Sequence, residues 1–203
     1  WIRTHNGTWT MATVPWASSG EIGYWEMVLA SNLVATYSMP ICMINGAVGG
    51  TRIDQHQPNW ANHYMADSYG NNIYANLISR VAAAKLTHGI RGVLWHQGEN
   101  NSGAVAPTGD WDYKSYQQYF VNMSAAWKQD MPNLQHYYIY QVWPLPCSMG
   151  PVGAQLREAQ RTLPRLYSNL SIMSTVGILE PWNPARGNCH FDGGGYTQMA
   201  NLM

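Results

Sequence analysis

The stretch that decides the fold comprises residues 90–100, which read IRGVLWHQGEN. Its first half is an apolar run that contains Val93, Leu94 and Trp95, and its second half is a dense series of polar side chains. A short apolar run of this kind is typical of a strand buried in a sheet, and we place its start near Gly92. The polar half therefore predicts a site at the point where this strand ends.

Similar apolar runs recur along the chain and alternate with segments of helical periodicity. Three further strands are predicted at residues 41–45, 136–143 and 171–176. Helices are predicted at residues 21–37, 73–85, 113–129, 156–163 and 196–203, and residues 1–20 are interpreted as a loop. This order predicts an α/β fold in which helices cover both faces of a parallel sheet.

The composition favours one neutral domain over residues 1–203. Hydrophobic residues make up 46% of the chain, and neither a repeat nor a linker divides it. The 11 basic residues balance the 11 acidic ones, so neither nucleic acid nor a membrane is expected as a partner. No apolar run reaches the length of about 20 residues that a transmembrane helix needs.

The aromatic residues favour a carbohydrate ligand. The chain has 10 Trp and 13 Tyr but only 2 Phe. Rings with a polar group suit sites that are partly apolar and partly wet, as sugar-binding clefts are, although core packing is the alternative for each single ring. The charged fraction of 11%, together with the many Trp, Tyr, Asn and Gly residues, favours a secreted or periplasmic protein.

The candidate catalytic groups lie in three polar motifs, each of which follows a predicted strand, where ligands bind in such sheets. In NGAVGGT, the pair Gly49 and Gly50 could bring backbone N–H groups to an oxyanion, and a plain tight turn is the alternative. In HQGEN, Gln97 could donate a neutral N–H while Glu99 orients its neighbours, and local turn hydrogen bonds are the alternative. His190 suits a general base, and a structural histidine is the alternative.

No metal or other cofactor is predicted. His96 and Glu99 have a His-x-x-Glu spacing, but the stretch ends a strand and lacks the helical histidine pair of zinc enzymes. The glycine loop lacks both the lysine of a phosphate-binding loop and the full spacing of the dinucleotide fingerprint.

Together, the three motifs resemble those of the SGNH hydrolase superfamily, and more narrowly its sialate O-acetylesterase-like and plant-type carbohydrate esterase branch. INGAVGGT resembles the second family block, WHQGEN the third and CHF the last, so that the similarity covers roughly residues 21–203. The resemblance implies a flavodoxin-like three-layer α/β/α sandwich. It also implies a carbohydrate O-acetylesterase that removes acetyl groups from acetylated xylan or O-acetyl sialic acid.

The resemblance also implies a role for each candidate residue. His190 would be the general base that activates a serine and then protonates the leaving sugar hydroxyl. The backbone N–H of Gly49 or Gly50 and the side chain of Gln97 would bind the tetrahedral oxyanion. Glu99 would brace the loops behind them.

The nucleophile is the first departure from the family pattern. The family serine belongs to a Gly-Gln-Ser block after the first strand, and no such block occurs in this chain. Ser18 and Ser19 precede the first predicted helix and do not match it. We therefore expect an N-terminally incomplete domain, whose missing first strand and serine another polypeptide segment supplies.

The acid that orients the histidine is the second departure. The family commonly has Asp three residues before its histidine, where this chain has Gly187. Glu99, Glu180 and Asp192 are the candidate replacements, and a dyad or a backbone carbonyl is the alternative.

The cysteines leave two pairing states open. Cys42 lies in an apolar run and is predicted to be a buried thiol. Cys147 and Cys189 are expected at the same edge of the sheet, where they either form a disulfide that pins the histidine loop or remain free thiols.

Two other functions remain open from the sequence. The absent serine and the surplus of Trp and Tyr would also fit a non-catalytic carbohydrate-binding module. The same fold would also suit an esterase or lipase for small or lipid acyl esters, although the polar, aromatic loops at residues 51–70 and 100–112 favour a sugar.

Overall fold

The computed structural model describes residues 1–13, 22–59, 72–102, 113–144, 152–179 and 190–203. Their elements are, in chain order, β1 (Ile2–Asn6), β2 (Thr8–Met11), α1 (Tyr24–Tyr37), β3 (Ile41–Cys42), α2 (Ile73–Ala83), β4 (Gly92–His96), α3 (Tyr113–Asp130), β5 (His136–Tyr140), α4 (Gly153–Thr162), β6 (Leu170–Met173) and α5 (Gly193–Ala200). Short 3-10 turns lie at Ile53–His56, Asn100–Ser102, Leu163–Arg165 and Thr175–Gly177.

The strands form two three-stranded sheets. In the larger one, β5 lies between β4 and β6 and runs parallel to both, with Gly92 opposite His136 and Tyr137 opposite Leu170. In the other, β1 lies between β2 and β3, antiparallel to β2 and parallel to β3. The carboxyl ends of β4, β5 and β6 therefore meet at one edge, and the predicted α/β fold with a parallel sheet is confirmed.

Alternation along β5 separates two helical layers. Tyr137 and Ile139 pack into a core with apolar residues of α2, α3 and α4. Tyr138 and Tyr140 point the other way, into a second core that α1 and α5 complete. Because successive strand residues face opposite sides, this single strand contributes to both cores, and the result is a three-layer α/β/α arrangement.

Helix α3 shows why the periodic segments were predictable. Tyr116, Phe120, Met123 and Trp127 recur at helical spacing, and all four are buried against the sheet. The helix ends at Asp130, just before Pro132. Within the described ranges, no helix is both long and apolar enough to span a lipid bilayer.

The interpretation of residues 1–20 as a loop is wrong for its first part. Strands β1 and β2 form a tight hairpin around Gly7, which has a φ of +80°, and Asn6 pairs with Thr8. The dipeptide Asn-Gly is a strong hairpin signal, but Arg, His and Thr break the apolar alternation that normally accompanies it. Residues 14–21 lie outside the described part of the chain.

The prediction that Cys42 is a buried thiol is also wrong, because its side chain is exposed. Strand β3 pairs with β1 on one side only. On its other side lies a cavity of about 280 Å³, which residues of both β3 and β4 line, Cys42 among them. An apolar sequence therefore borders open space here instead of a neighbouring strand.

The hairpin provides a test of backbone strain. Replacing Gly7 by Ala is expected to lower the free energy of unfolding by about 1 kcal/mol, because only glycine adopts a positive φ at no steric cost. The added methyl group itself would contact nothing within 4 Å, so the effect is conformational. Gly177→Ala is the matched control: its Cβ also meets open space, its φ is not positive, and it is expected to change stability by less than about 0.5 kcal/mol. Urea denaturation measures both, and equal effects would contradict the strain argument.

Candidate active site

Gln97 joins two loops at the carboxyl end of β4. Its Nε2 donates to the backbone oxygen of Thr51 at 2.9 Å and to Oδ1 of Asn101 at 2.8 Å. Oδ1 of Asn101 also accepts from the backbone N–H of Ile53 at 2.9 Å. Because a backbone N–H can only donate, that atom of Asn101 must be the oxygen, and Gln97 must present its nitrogen to it.

The backbone of Gln97 is held from the opposite side. Its carbonyl oxygen accepts from Oη of Tyr116 and from Nε2 of Gln160, each at 2.9 Å. Oε1 of Gln160 in turn accepts from the backbone N–H of Val142 at 3.0 Å. Since Gln160 and Tyr116 are fully buried, α3 and α4 fix the end of β4 through hydrogen bonds that water does not replace.

Gly98 cannot be replaced without displacing its neighbours. Its φ is +146°, a region that side chains rarely adopt. A Cβ there would lie 2.8 Å from Cγ1 of Val142 and 3.0 Å from Nε2 of Gln160. The glycine of HQGEN therefore serves both the backbone path and the close approach of α4.

The glycine loop is tied to the end of β4 by a further bond, from Nδ2 of Asn100 to the backbone oxygen of Gly50. Gly50 has a φ of +72°, and Gly49 and Gly50 are both exposed. Among the described residues, neither of their N–H groups donates to a protein acceptor. These two donors are thus available to a ligand on a loop whose position is fixed.

The buried polar turn at Ile53–His56 packs against the glycine loop and supports it. The hydroxyl of Thr51 donates to the backbone oxygen of Val48 at 2.7 Å and lies 2.8 Å from Nε2 of His56. Because the hydroxyl proton is directed to Val48, Nε2 of His56 is the donor in this contact. Burial lowers the pKa of His56 to about 4, so the imidazole is neutral at pH 7. Arg52 also binds Asp54 through two nitrogens, at 2.9 and 3.0 Å.

Four buried polar atoms cluster near the carboxyl end of β4 without a hydrogen-bond partner among the described residues. They are Oε2 of Glu26, Nε2 of His96, Oε1 of Gln97 and the hydroxyl of Tyr140. Glu26, His96 and Gln97 line the cavity between β3 and β4. Burial raises the pKa of the Glu26 carboxyl to about 7. Burial, and then the charge of Glu26, raise the pKa of Tyr140.

Glu99 contributes less to the joining of the loops than its place in the motif implied. Its Oε1 lies 3.6 Å from Nε2 of His96, and its backbone oxygen accepts from the N–H and the hydroxyl of Ser102. The bonds that cross to the glycine loop come from Gln97, Asn100 and Asn101 instead. The role of Glu99 as a brace stays a prediction.

His190 lies at the start of α5 and is exposed. Its Nδ1 is 3.3 Å from Oη of Tyr196, and no hydrogen bond within the described residues joins it to Gln97 or to the glycine loop. Of the candidate orienting acids, Asp192 accepts from the N–H of Gly195 and thereby caps α5. Ser18, Ser19, Cys147, Glu180, Gly187 and Cys189 lie outside the described residues.

Sequence reasoning missed the residues that hold the site together. They are Asn100, Asn101, Tyr116, His56 and Gln160. Asn101 bonds to Ile53 across 48 residues, and Gln160 bonds to Gln97 across 63, so no local pattern could reveal these contacts. The asparagine that directly follows HQGEN, Asn101, was the one available signal.

The three-layer fold, with two polar loops at the carboxyl edge of its sheet, agrees with the class of protein expected from the sequence, the SGNH hydrolases. More narrowly, the chain belongs to the family described as carbohydrate esterase, sialic acid-specific acetylesterase, whose family model matches residues 2–201. The family resemblance predicted from the sequence is therefore confirmed.

Two solved structures share this fold. One is XAC1771, a carbohydrate acetylesterase from Xanthomonas citri, with a TM-score of 0.64 and 17% identity over 98% of this chain. The other is NanS, with a TM-score of 0.60 and 13% identity over 99% of this chain. The chain covers 46% of the length of XAC1771 and 85% of that of NanS. No curated protein sequence matches the chain.

Asn101 offers a direct test of the joined loops. Asn101→Ala leaves the buried N–H of Ile53 and one N–H of Gln97 without an acceptor, so the free energy of unfolding is expected to fall by about 2–4 kcal/mol. Asn32→Ala removes an exposed amide bonded to Asn201 and is the control, with an expected change below about 0.5 kcal/mol. Chemical denaturation measures the free energy of unfolding of both variants. A small effect of Asn101→Ala would show that the loops do not depend on the hydrogen bonds of Asn101.

His56 predicts a pH dependence of stability. Between pH 6.5 and about 4, the unfolded chain takes up a proton at His56 and the folded protein does not, so stability falls as the pH falls. The full difference is about 3 kcal/mol. His56→Gln is expected to remove most of this loss between pH 7 and pH 4.5, whereas His88→Gln, at an exposed histidine, is expected to leave it unchanged. Urea denaturation at both pH values decides, and identical losses in the two variants would contradict the assignment. The raised pKa of Glu26 makes its own contribution to stability increase as the pH falls. This contribution is the same in both variants, so it cancels when they are compared.

Proposed function

We propose that the protein is a carbohydrate O-acetylesterase that removes acetyl groups from sugar hydroxyls, of the acetylated xylan or O-acetyl sialic acid class, through a serine acyl-enzyme. Family membership over residues 2–201 carries the proposal. It is supported by two accessible backbone donors, of Gly49 and Gly50, on a loop that is tied to the end of β4.

In this proposal, Gly49, Gly50 and Gln97 bind the oxyanion. The N–H groups of the two glycines reach it directly, because both residues are exposed. The Nε2 hydrogens of Gln97 are directed to Thr51 and Asn101 in the free protein, so Gln97 would exchange one of these acceptors for the oxyanion. An amide donor stabilises developing negative charge without a charge of its own.

His190 acts as the general base in the proposed reaction. It accepts the serine proton as the serine oxygen attacks the acetyl carbonyl carbon, and it returns that proton to the sugar oxygen as the ester bond breaks. Water then attacks the acetyl carbonyl of the acyl-enzyme. His190 accepts a proton from this water and returns it to the serine oxygen, and acetate leaves. The exposure of the imidazole at the start of α5 is compatible with both transfers.

We further propose that a polypeptide segment other than residues 1–203 supplies the serine and occupies the cavity between β3 and β4 as a strand. Each of these strands pairs on one side only in the described sheets, β3 with β1 and β4 with β5. Strand edges of this kind accept a further strand through backbone hydrogen bonds. Oε2 of Glu26, which lines the cavity and has no hydrogen-bond partner among the described residues, would receive a hydrogen bond from such a segment.

The test is acetate release from acetylated xylan and from O-acetyl sialic acid by a polypeptide that contains this chain and the nucleophile. His190→Ala is expected to lower kcat by about a thousandfold or more, with little change in KM, because the base acts in the transition state. His88→Ala, at another exposed histidine, is the control and is expected to retain full activity.

The same assay separates the proposal from its alternatives. Full activity of the His190→Ala variant would contradict the assigned mechanism. Sugar binding by calorimetry without any hydrolysis would identify a carbohydrate-binding module. Faster hydrolysis of long-chain esters than of acetylated sugars would identify a lipid esterase.

A further inference from the structure

We propose that Tyr196 is a positioning residue for His190: its phenol oxygen accepts a hydrogen bond from Nδ1–H and so leaves Nε2 free to act as the base. This inference rests on the proposed function. It gives a role to the distance of 3.3 Å between Nδ1 and Oη, which is the one hydrogen-bond contact of the His190 side chain within the described residues.

The local fold directs Tyr196 towards His190. Tyr196 lies in the first turn of α5, and its backbone N–H donates to the backbone oxygen of Asp192 at 3.1 Å. Side chains on a helix lean towards its N-terminus, so a tyrosine in the first turn reaches back over the residues that precede the helix. His190 is two residues before Asp192, the N-cap, and thus lies within its reach.

The tyrosine ring is held in place by other aromatic rings. Phe191, which is buried, meets it edge-on at 5.7 Å, and Tyr24 of α1 lies at 5.9 Å. The glycines that open α5 permit this packing. A Cβ on Gly195 would lie 2.7 Å from Cβ of Phe191, and one on Gly193 would lie 3.2 Å from Oη of Tyr24. The phenol oxygen is therefore presented from a fixed ring.

The carboxylates that could orient His190 in place of Tyr196 bind other groups. Asp192 caps α5 through Gly195, and the carboxylate of Glu99 lies beside His96. Within the described ranges, no carboxylate lies within 4 Å of His190. Three residues before His190, where an orienting acid would stand, the chain has Gly187.

The chemistry of a phenol sets the size of the effect. A carboxylate fixes the tautomer and also stabilises the imidazolium by its charge, whereas a neutral oxygen supplies only orientation and one hydrogen bond. Loss of the phenol oxygen is therefore expected to lower kcat about three- to tenfold, which corresponds to one neutral hydrogen bond. KM is expected to stay unchanged, because the contact does not involve the substrate.

Imidazole NMR tests the inference without any activity measurement. In the 15N-labelled chain at a pH where His190 is neutral, long-range 1H–15N spectra report which ring nitrogen carries the proton, and His190→Gln assigns the signals. We expect the Nδ1–H form in the unaltered protein and a shift towards the Nε2–H form in Tyr196→Phe, which keeps the ring and its packing. Tyr24→Phe, which removes a neighbouring hydroxyl, is the control and is expected to change nothing.

Two outcomes would overturn the inference. One is the Nε2–H form in the unaltered protein, which requires no variant to fold. The other is the same tautomer before and after Tyr196→Phe. In the polypeptide that releases acetate, Tyr196→Phe is expected to lower kcat alone, and an unchanged kcat would also count against it. If no acetate is released, the proposed function fails, while the tautomer still decides the role of Tyr196.

Discussion

One carboxamide oxygen, Oδ1 of Asn101, determines how the two loops of the candidate site are held together. It accepts hydrogen bonds from the backbone of Ile53 and from the side chain of Gln97, and all three residues are buried. Buried donors that lose their acceptor cannot turn to water, so the pairing is costly to break. The orientation of Gln97, and with it the position of the loop that carries Gly50, depends on this contact.

Features that follow from local burial were predictable from the sequence. Helix α3 and strand β5 were both predictable because their buried residues recur at the spacing typical of a helix and of a strand, respectively. The exposure of Cys42 was not predictable, since its apolar neighbours indicate burial and only the open side of β3 reveals the cavity. The candidate site was likewise predictable only in part. Gln97 and Gly98 belong to a recognisable sequence motif, whereas the role of Asn101 as a buried acceptor depends on a contact between loops that are 48 residues apart.

The candidate site relies on neutral groups. In the proposed reaction, amide hydrogens of Gln97, Gly49 and Gly50 would bind the oxyanion. Burial keeps His56 next to the glycine loop neutral, and Tyr196 contacts His190 through a phenol. Neutral dipoles need no buried counter-charge, and dipoles that are fixed in place beforehand stabilise developing charge more strongly than mobile water does. Few charged residues and no net charge are therefore compatible with the proposed chemistry.

The carboxyl of Glu26 has a consequence for whatever fills the cavity beside β4. Burial raises the pKa of this carboxyl to about 7, and its buried Oε2 has no hydrogen-bond partner among the described residues. Any group that donates a hydrogen bond to this oxygen stabilises the carboxylate and releases a proton to solvent. Occupation of the cavity by such a donor is thus linked to proton release below about pH 7, and its affinity increases as the pH rises towards that value.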